Sequence, residues 1–336
     1  MNIYQEHEFV DLGLPSGTLW ATCNVGANKP EDYGDYLSWD EGKTVDAKWG
    51  NGWQMPSKEQ WEERIKNGWV LDGEGNPIAP NTRCKAGLKL YYWRYLENEP
   101  HIPFEESVLY QDDHIVVADK PHFLPVIPSG RYIQETLLVR LRRKLGIDTL
   151  SPVHRIDRET AGLVLFSVHP EERNAYQRLF RTRSVSKTYE AVAPYRKDIE
   201  ETPLLQHYIF QREDNFMQMT FGEGKPNAET LASILHHNKN YALYQLEPFT
   251  GRKHQLRVQM MALGIPILND RIYPIHQPES VTEDMLAKEY RHPLQLLARS
   301  MTFIDPVTGQ DRLFTSNCKL SAAKLALPET TKNSNK

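Results

Sequence analysis

The chain has 336 residues, of which 40% are hydrophobic and 25% charged, and this composition is typical of a soluble protein with packed cores. Its three cysteines, Cys23, Cys84 and Cys318, are too scattered for a disulfide framework or a CxxC metal site, so we expect a reducing, cytoplasmic location. The sequence shows no basic leader with an apolar run and no apolar stretch approaching about 18 residues, so we expect neither secretion nor membrane insertion.

The net charge of −4 is unevenly distributed along the chain. Residues 1–50 hold nine Asp and Glu against three Lys and Arg, whereas residues 131–187 hold twelve Lys and Arg against six Asp and Glu. A locally basic surface is what contacts with nucleic-acid phosphates require. The same arginines also fit a solvated helix face, so charge alone does not decide between the two interpretations.

The first 56 residues are rich in Gly, Asp and aromatic residues, which predicts short strands and loops. Three segments within residues 9–57 resemble the Fibrobacter-type major paralogous domain: FVDLGLPSGTLWATCNVGA, YGDY and GWQMPS. The resemblance covers only a truncated form of that domain. We therefore treat residues 1–56 as a separate N-terminal segment and transfer no function from it.

Residues 57–96 have a different pattern. Ser57 is a candidate N-cap for a short amphipathic helix, and a strand, a turn and a strand are predicted from Gly68 to Ile78, with a further strand from Leu88 to Arg94. This segment resembles a degenerate S4-type RNA-binding module. The prolines of residues 97–103 disfavour helix and predict a linker.

The second half predicts alternating strands and helices up to about residue 316. The apolar run from Ile115 to Ala118 predicts a buried strand, and the spacing of apolar residues between Tyr132 and Leu145 predicts a helix. We expect residues 321–336 to form a flexible tail.

The run HRIDRETAGL, residues 154–163, carries the chemistry. Its carboxylate, Asp157, lies between Arg155 and Arg158, and close cations favour an ionised carboxylate that suits a nucleophile or an electrostatic stabiliser. An isolated loop aspartate is more often a turn cap paired with a neighbouring arginine. The residues of this run alone leave both interpretations open.

This run resembles the HRLDxxTSG signature of the RluA family of pseudouridine synthases, with conservative departures at Ile156 and Ala161. Further blocks follow the order of that family. They are YQDDHIVVADKP at residues 110–121, SKTYEAV at 186–192, FTGRKHQLRV at 249–258 and LGIPILND at 263–270.

The resemblance implies a catalytic domain over residues 105–320 with the α+β pseudouridine synthase fold, in which a mixed, mostly antiparallel central sheet is flanked by helices. It implies that Asp157 acts at the ribosyl carbon of a uridine, that Tyr189 lies against the uracil, and that Arg252 pairs with Asp157. We expect a polar strand after the Thr250-Gly251-Arg252 turn. Seven residues are predicted to contact substrate: His154, Arg155, Arg158, Thr160, His254, Gln255 and Arg257.

The implied reaction exchanges a C–N glycosidic bond for a C–C bond, so no cofactor and no metal are expected. The implied partner is RNA, either ribosomal or transfer RNA with a slight preference for ribosomal RNA, and we expect a monomer. One alternative is an RNA-binding protein without activity, against which the intact Asp157, Tyr189 and Arg252 argue. A second alternative, a carbohydrate- or surface-binding protein, rests on residues 1–55 alone.

Overall fold

The computed structural model describes the strand residues 2–4, 7–11 and 19–21, and residues 58–79, 81–82, 90–92, 99–129, 131–212, 215, 217–277 and 283–327. The chain forms two compact units. One comprises Met1–Pro100 and Pro128–Gln134, and the other comprises His101–Ile127 and Glu135–Lys336. We describe each unit by itself.

The first unit has small sheets and one described helix. Strands β1 (Asn2–Tyr4), β2 (His7–Asp11) and β3 (Leu19–Ala21) pair antiparallel, helix α1 spans Lys58–Lys66, and β4 (Val70–Leu71) pairs with β5 (Tyr91–Tyr92). The predicted helix is therefore confirmed, although Ser57 lies outside the described residues. Most of the segment that resembles the Fibrobacter-type domain also lies outside them. The domain boundaries and the S4-like module stay predictions.

The second unit is built on a sheet of eleven described strands, which confirms the predicted α+β class. Their order is β12-β11-β13-β14-β10-β15-β9-β7-β6, with β16 paired to β15 and β8 paired to β9. All pairs are antiparallel except β9 with β15. The strands are β6 (Ser107–Gln111), β7 (Ile115–Lys120), β8 (Ser151–Pro152), β9 (Ala161–Ser167), β10 (Ser186–Pro194), β11 (Leu204–Gln211), β12 (Met219–Gly222), β13 (Ala228–His237), β14 (Tyr241–Pro248), β15 (Leu296–Ile304) and β16 (Asp311–Thr315).

Four α-helices accompany this sheet among the described residues: α2 (Leu137–Leu145), α3 (Arg173–Arg181), α4 (Gln255–Ala262) and α5 (Glu283–Glu289). Helix α2 confirms the helix predicted from apolar spacing, but it begins later than the first apolar residue of that pattern. Thr136 has extended backbone and its hydroxyl accepts the Val139 N–H at 3.4 Å, so the first turn is capped there. Gly146 ends the helix in the left-handed conformation with φ 68°.

Strand β9 lies at the centre of the unit and leads directly out of the HRIDRET run. All seven of its residues are buried, as expected for a strand covered on both faces. Gly162 has φ 111°, and a Cβ atom at this position would lie 2.2 Å from the Ala298 carbonyl oxygen. Only glycine lets β9 approach β15 this closely at the point where their parallel pairing begins.

The predicted flexible tail is wrong for residues 321–327. A 3₁₀ helix spans Ala323–Ala326, Ala326 is fully buried, and the Asn238 side chain donates a hydrogen bond to the Leu327 carbonyl at 3.2 Å. Small apolar residues in this segment pack onto the sheet, a role that their polar surroundings in the sequence concealed. Residues 328–336 lie outside the described part of the chain. No described helix is both long and apolar enough to cross a membrane.

Candidate active site

Asp157 lies in the loop between β8 and β9. The Thr160 N–H donates to the Asp157 carbonyl at 3.1 Å and closes a turn that leads into the buried strand. The Asp157 side chain is 27% exposed, so its carboxylate remains open to a ligand. The loop therefore presents one accessible carboxylate at the edge of the core.

The cation that pairs with Asp157 is Arg257 of α4. Its Nη1 donates to Asp157 Oδ2 at 3.1 Å, and Glu159 Oε2 lies 3.5 Å from the same nitrogen. The remaining edge forms a two-pronged pair with Asp270, Nε to Oδ2 at 2.8 Å and Nη2 to Oδ1 at 2.7 Å. Arg257 and Asp270 are each only 1% exposed. Such a fork fixes both position and orientation of the guanidinium.

Charge complementarity in this cluster outweighs the cost of burial. Burial alone would lower the pKa of Arg257, but the carboxylates of Asp270, Asp157 and Glu159 raise it well above its usual range. Burial would raise the pKa of Glu159, yet the charges of Arg158 and Arg257 lower it to about 2. Arg257 and Glu159 are therefore both charged at neutral pH.

The predicted pairing of Arg252 with Asp157 is wrong in this structure. Arg252 is exposed, and its Nε donates to the Asn227 carbonyl at 3.4 Å. The physical reason is the local backbone: His254 is left-handed with φ 54°, and a helix begins at Gln255 where we expected a polar strand. The first turn of that helix carries Arg257 to Asp157 and leaves Arg252 on the preceding loop.

The two arginines that flank Asp157 in sequence do not bind it. Arg158 turns to Glu159, with Nε to Oε1 at 3.2 Å, and to Glu289 of α5. Arg155 is exposed and contacts no carboxylate among the described residues. The two arginines that made Asp157 stand out in the sequence therefore do not pair with it in the structure.

His254 lies beside Asp157, with Nε2 3.8 Å from Oδ1. Its Nδ1 makes a 2.9 Å hydrogen bond with the Tyr273 hydroxyl, which already accepts the Met219 N–H. The hydroxyl hydrogen is thus available to Nδ1, which places the ring proton on Nε2, facing Asp157. Burial lowers the pKa of His254 to about 4, so the ring is neutral at pH 7.

Three of the predicted substrate contacts are engaged in holding the site. Gln255 is buried, its Oε1 accepts from the Thr250 hydroxyl at 2.7 Å and the Arg252 N–H at 3.1 Å, and its amide donates to β13. His154 Nε2 accepts the Leu165 N–H at 3.1 Å, and burial lowers the pKa of His154 to about 3. Thr160 is buried at the start of β9. These residues fix the loop and the Thr250-Gly251-Arg252 turn.

Tyr189 of β10 also belongs to the site. Its ring packs against the apolar cluster that includes Leu256 and Met260 of α4. Burial and the negative charge of Asp157 raise the pKa of Tyr189 above its usual range. The phenol is therefore protonated at neutral pH and presents a neutral aromatic face near the carboxylate.

Lys120 and Asp270 were given no role by the sequence, although Lys120 is the penultimate residue of the YQDDHIVVADKP block and Asp270 the last residue of LGIPILND. Lys120 is fully buried, and its Nζ donates to the carbonyls of Pro121 at 2.9 Å and Arg158 at 3.0 Å. Burial lowers the pKa of Lys120 to about 7. In the sequence, the position of Lys120 at the end of an apolar run was the signal that could have indicated a role. Its distant acceptor, the Arg158 carbonyl, could be identified only from the fold.

The described residues contain no group of three or more His, Cys, Asp or Glu side chains arranged to hold a metal ion. What they assemble is one accessible carboxylate fixed by a buried arginine, with a neutral histidine and a neutral phenol beside it. A fixed anion next to an aromatic surface can stabilise developing positive charge, or attack, at a ring bound between them.

Comparison with known proteins identifies the family. A family model described as RNA pseudouridylate synthase matches residues 114–262. The chain is 32% identical over 218 residues to an uncharacterized RNA pseudouridine synthase of Synechocystis sp., covering 64% of this chain and 74% of the relative. It is 31% identical over 201 residues to the dual-specificity RNA pseudouridine synthase RluA of Pasteurella multocida, covering 58% of this chain and 90% of the relative.

A solved structure agrees at the level of the fold. The human protein RNA Pseudouridylate Synthase Domain Containing 1 has a TM-score of 0.51 and 21% identity, over 66% of this chain and 86% of that chain. The sequence blocks, the mixed sheet and these relatives point the same way. The chain therefore belongs to the RluA family of RNA pseudouridine synthases, the isomerases that convert uridine to pseudouridine in RNA.

Proposed function

We propose that this protein isomerises specific uridines of ribosomal or transfer RNA, with Asp157 as the catalytic carboxylate. The observation that carries the proposal is the ion pair of Asp157 with Arg257, which fixes an accessible carboxylate beside Tyr189.

In the proposed reaction Asp157 acts at C1′ of an extruded uridine. The N1–C1′ bond breaks, the uracil rotates, and a C5–C1′ bond forms, while a proton leaves C5 and N1 gains one. No atom is lost and no electron is supplied from outside. Tyr189 supplies a face on which the detached base stacks while it rotates, and its protonated hydroxyl is a hydrogen-bond donor.

The test compares pseudouridine maps of total RNA from cells with the gene, without it, and with Asp157→Asn. Asparagine keeps the shape of the side chain and removes its charge. We expect the same uridines to remain unmodified in the deletion strain and in the Asp157→Asn strain. Asp113→Asn, at an exposed aspartate outside the site, is the matched control and should restore every modification.

Two results would count against the proposal. If no site disappears on deletion, the enzyme is not a synthase for cellular RNA. If Asp157→Asn supports normal modification, the chemistry does not depend on this carboxylate. A purified Asp157→Asn protein that binds RNA as the wild type does, yet forms no pseudouridine, would separate catalysis from binding and exclude a purely RNA-binding role for the wild type.

A further inference from the structure

Lys187 lies at the active site without a counter-charge. It is two residues before Tyr189 on β10. Its ammonium nitrogen lies 4.0 Å from the position that a Cβ atom on Gly251 would occupy, and it is the sole described heavy atom within that distance. Its charge also contributes to the lowered pKa of His154. Lys187 thus lies between the catalytic loop and the Thr250-Gly251-Arg252 turn.

Several half-buried cations elsewhere in the unit contact carboxylates, and others, such as Arg142 and Arg173, donate to backbone carbonyls. Arg140 contacts Glu135 and Glu106, Arg299 contacts Glu190, and Arg312 contacts Asp112 and Asp305. Half-buried Lys187 contacts no carboxylate and no hydrogen-bond acceptor within the described part of the chain. Burial lowers the pKa of Lys187, and no described carboxylate offsets that shift.

An unpaired, partly desolvated ammonium group is unfavourable for folding unless an anion compensates it on binding. The space in front of Gly251 has no side chain of its own, which leaves room for an anion beside the lysine. Arg252, the residue after Gly251 in the turn, is exposed and donates to the Asn227 carbonyl and not to a carboxylate. The ligand expected in this space is RNA, and the anion that RNA supplies is phosphate.

We propose that Lys187 binds a backbone phosphate of the RNA immediately beside the target uridine and thereby holds the extruded nucleotide over Tyr189 and Asp157. This inference rests on the proposed function. It assigns a phosphate site to a residue that the sequence motif contained and to which neither the motif nor the ion-pair network gave a role. Lysine suits such a contact because its ammonium is a compact charge with three donors.

The test measures the affinity of the purified full-length protein for a labelled stem-loop RNA with a uridine-rich loop, as a function of KCl concentration. Lys187→Met removes the charge and keeps the length, Lys187→Arg keeps the charge, and Lys197→Met is the matched control at an exposed lysine beyond the far end of β10. We expect Lys187→Met to raise Kd roughly tenfold at low salt. It should also reduce the slope of log Kd against log salt by about 0.7 to 1. Lys197→Met should change neither quantity, and Lys187→Arg should stay within roughly threefold of the wild type.

Single methylphosphonate linkages, which are uncharged, then locate the phosphate. One linkage beside a loop uridine should weaken wild-type binding and have no further effect on Lys187→Met, which is the signature of a direct contact in a double-mutant cycle. The melting temperature separates binding from a structural role. Removal of an unpaired desolvated charge should leave the melting temperature unchanged or raise it, whereas loss of a structural contact would lower it.

Equal salt slopes for Lys187→Met and Lys197→Met, or a methylphosphonate effect that is the same in the wild type and in Lys187→Met, would overturn the phosphate contact. These measurements require no turnover. If the binding tests fail but the deletion and Asp157→Asn strains lose the same pseudouridines, the Lys187 site is excluded and the proposed function is unaffected. If the methylphosphonate effect is coupled to Lys187 but deletion of the gene leaves the pseudouridine map unchanged, the Lys187 site stands and the proposed function fails.

Discussion

Arg252 and Arg257 lie five residues apart, and the structure gives them opposite environments. Arg257 is buried among the carboxylates of Asp157, Glu159 and Asp270, whereas Arg252 is exposed and touches a backbone carbonyl. A sequence motif contains both arginines and does not say which of them meets the aspartate. The answer depends on the left-handed backbone of His254, which no local pattern in the sequence predicts.

We expect Arg257→Met to reduce both stability and catalysis. The substitution leaves the buried Asp270 carboxylate without its partner, which should cost about 3–5 kcal/mol of unfolding free energy. It also frees Asp157 from its fixed position, so kcat should fall by about a hundredfold or more. Urea denaturation and single-turnover pseudouridine formation measure the two effects.

Arg252→Met is the matched comparison, because it removes an exposed arginine from the same segment. Its unfolding free energy should stay within about 0.5 kcal/mol of the wild type. Any loss of activity should then appear in RNA affinity and its salt dependence. An Arg252→Met protein as unstable as Arg257→Met would contradict the assignment of the buried pair.

At the scale of elements, the sequence predicted strands and helices well where one physical signal dominated. The apolar run of β7 and the apolar spacing of α2 are such cases. Helix α4 was missed because its six residues from Gln255 to Met260 are all buried, polar ones included, so no polar face marks the helical period. Gln255, Arg257 and Gln259 are tolerated there because the side chain of each has hydrogen-bond partners outside the helix.

The close approach of β9 and β15 leads to a prediction about Gly162. Gly162→Ala should destabilise the protein by about 3 kcal/mol or more, because the added methyl group overlaps the Ala298 carbonyl and the backbone is also outside the region favoured by alanine. The shift of the urea midpoint measures the effect.

Gly264→Ala is the control for that experiment. Gly264 has φ 74°, but no described atom lies within 4 Å of its Cβ position. It therefore carries the conformational penalty alone, about 1–2 kcal/mol. Equal effects at the two glycines would show that strand approach is not what requires Gly162.

For the whole molecule, the buried histidines predict sensitivity to acid. Burial lowers the pKa of His122 and His254 to about 4 and of His154 to about 3. In the unfolded chain the same rings titrate near 6.5, so between that pH and the folded values unfolding takes up protons. The contribution of these three histidines to the unfolding free energy is present in full above pH 6.5. It is lost as pH falls toward 4, by about 1.4 kcal/mol per pH unit for each histidine.

We expect the urea midpoint to decrease steadily as pH falls from 6.5 to 4.5. Below pH 4.5, protonation of Glu159 in the unfolded chain adds to the decrease, since the folded pKa of Glu159, about 2, lies below its unfolded value. His154→Gln keeps an acceptor for the Leu165 N–H and cannot titrate, so its midpoint should depend less on pH. An unchanged pH dependence in that variant would remove His154 from this account.

The ion pair between Asp157 and Arg257 joins residues that are 100 positions apart, and Asp270, which orients the arginine, lies a further 13 positions on. A ribosome therefore releases Asp157 well before it has made the residues that fix its side chain. A nascent chain that ends before Asp270 lacks the complete fork. The active site is thus assembled late in synthesis, and pseudouridine formation reports that the C-terminal part of the sheet has folded.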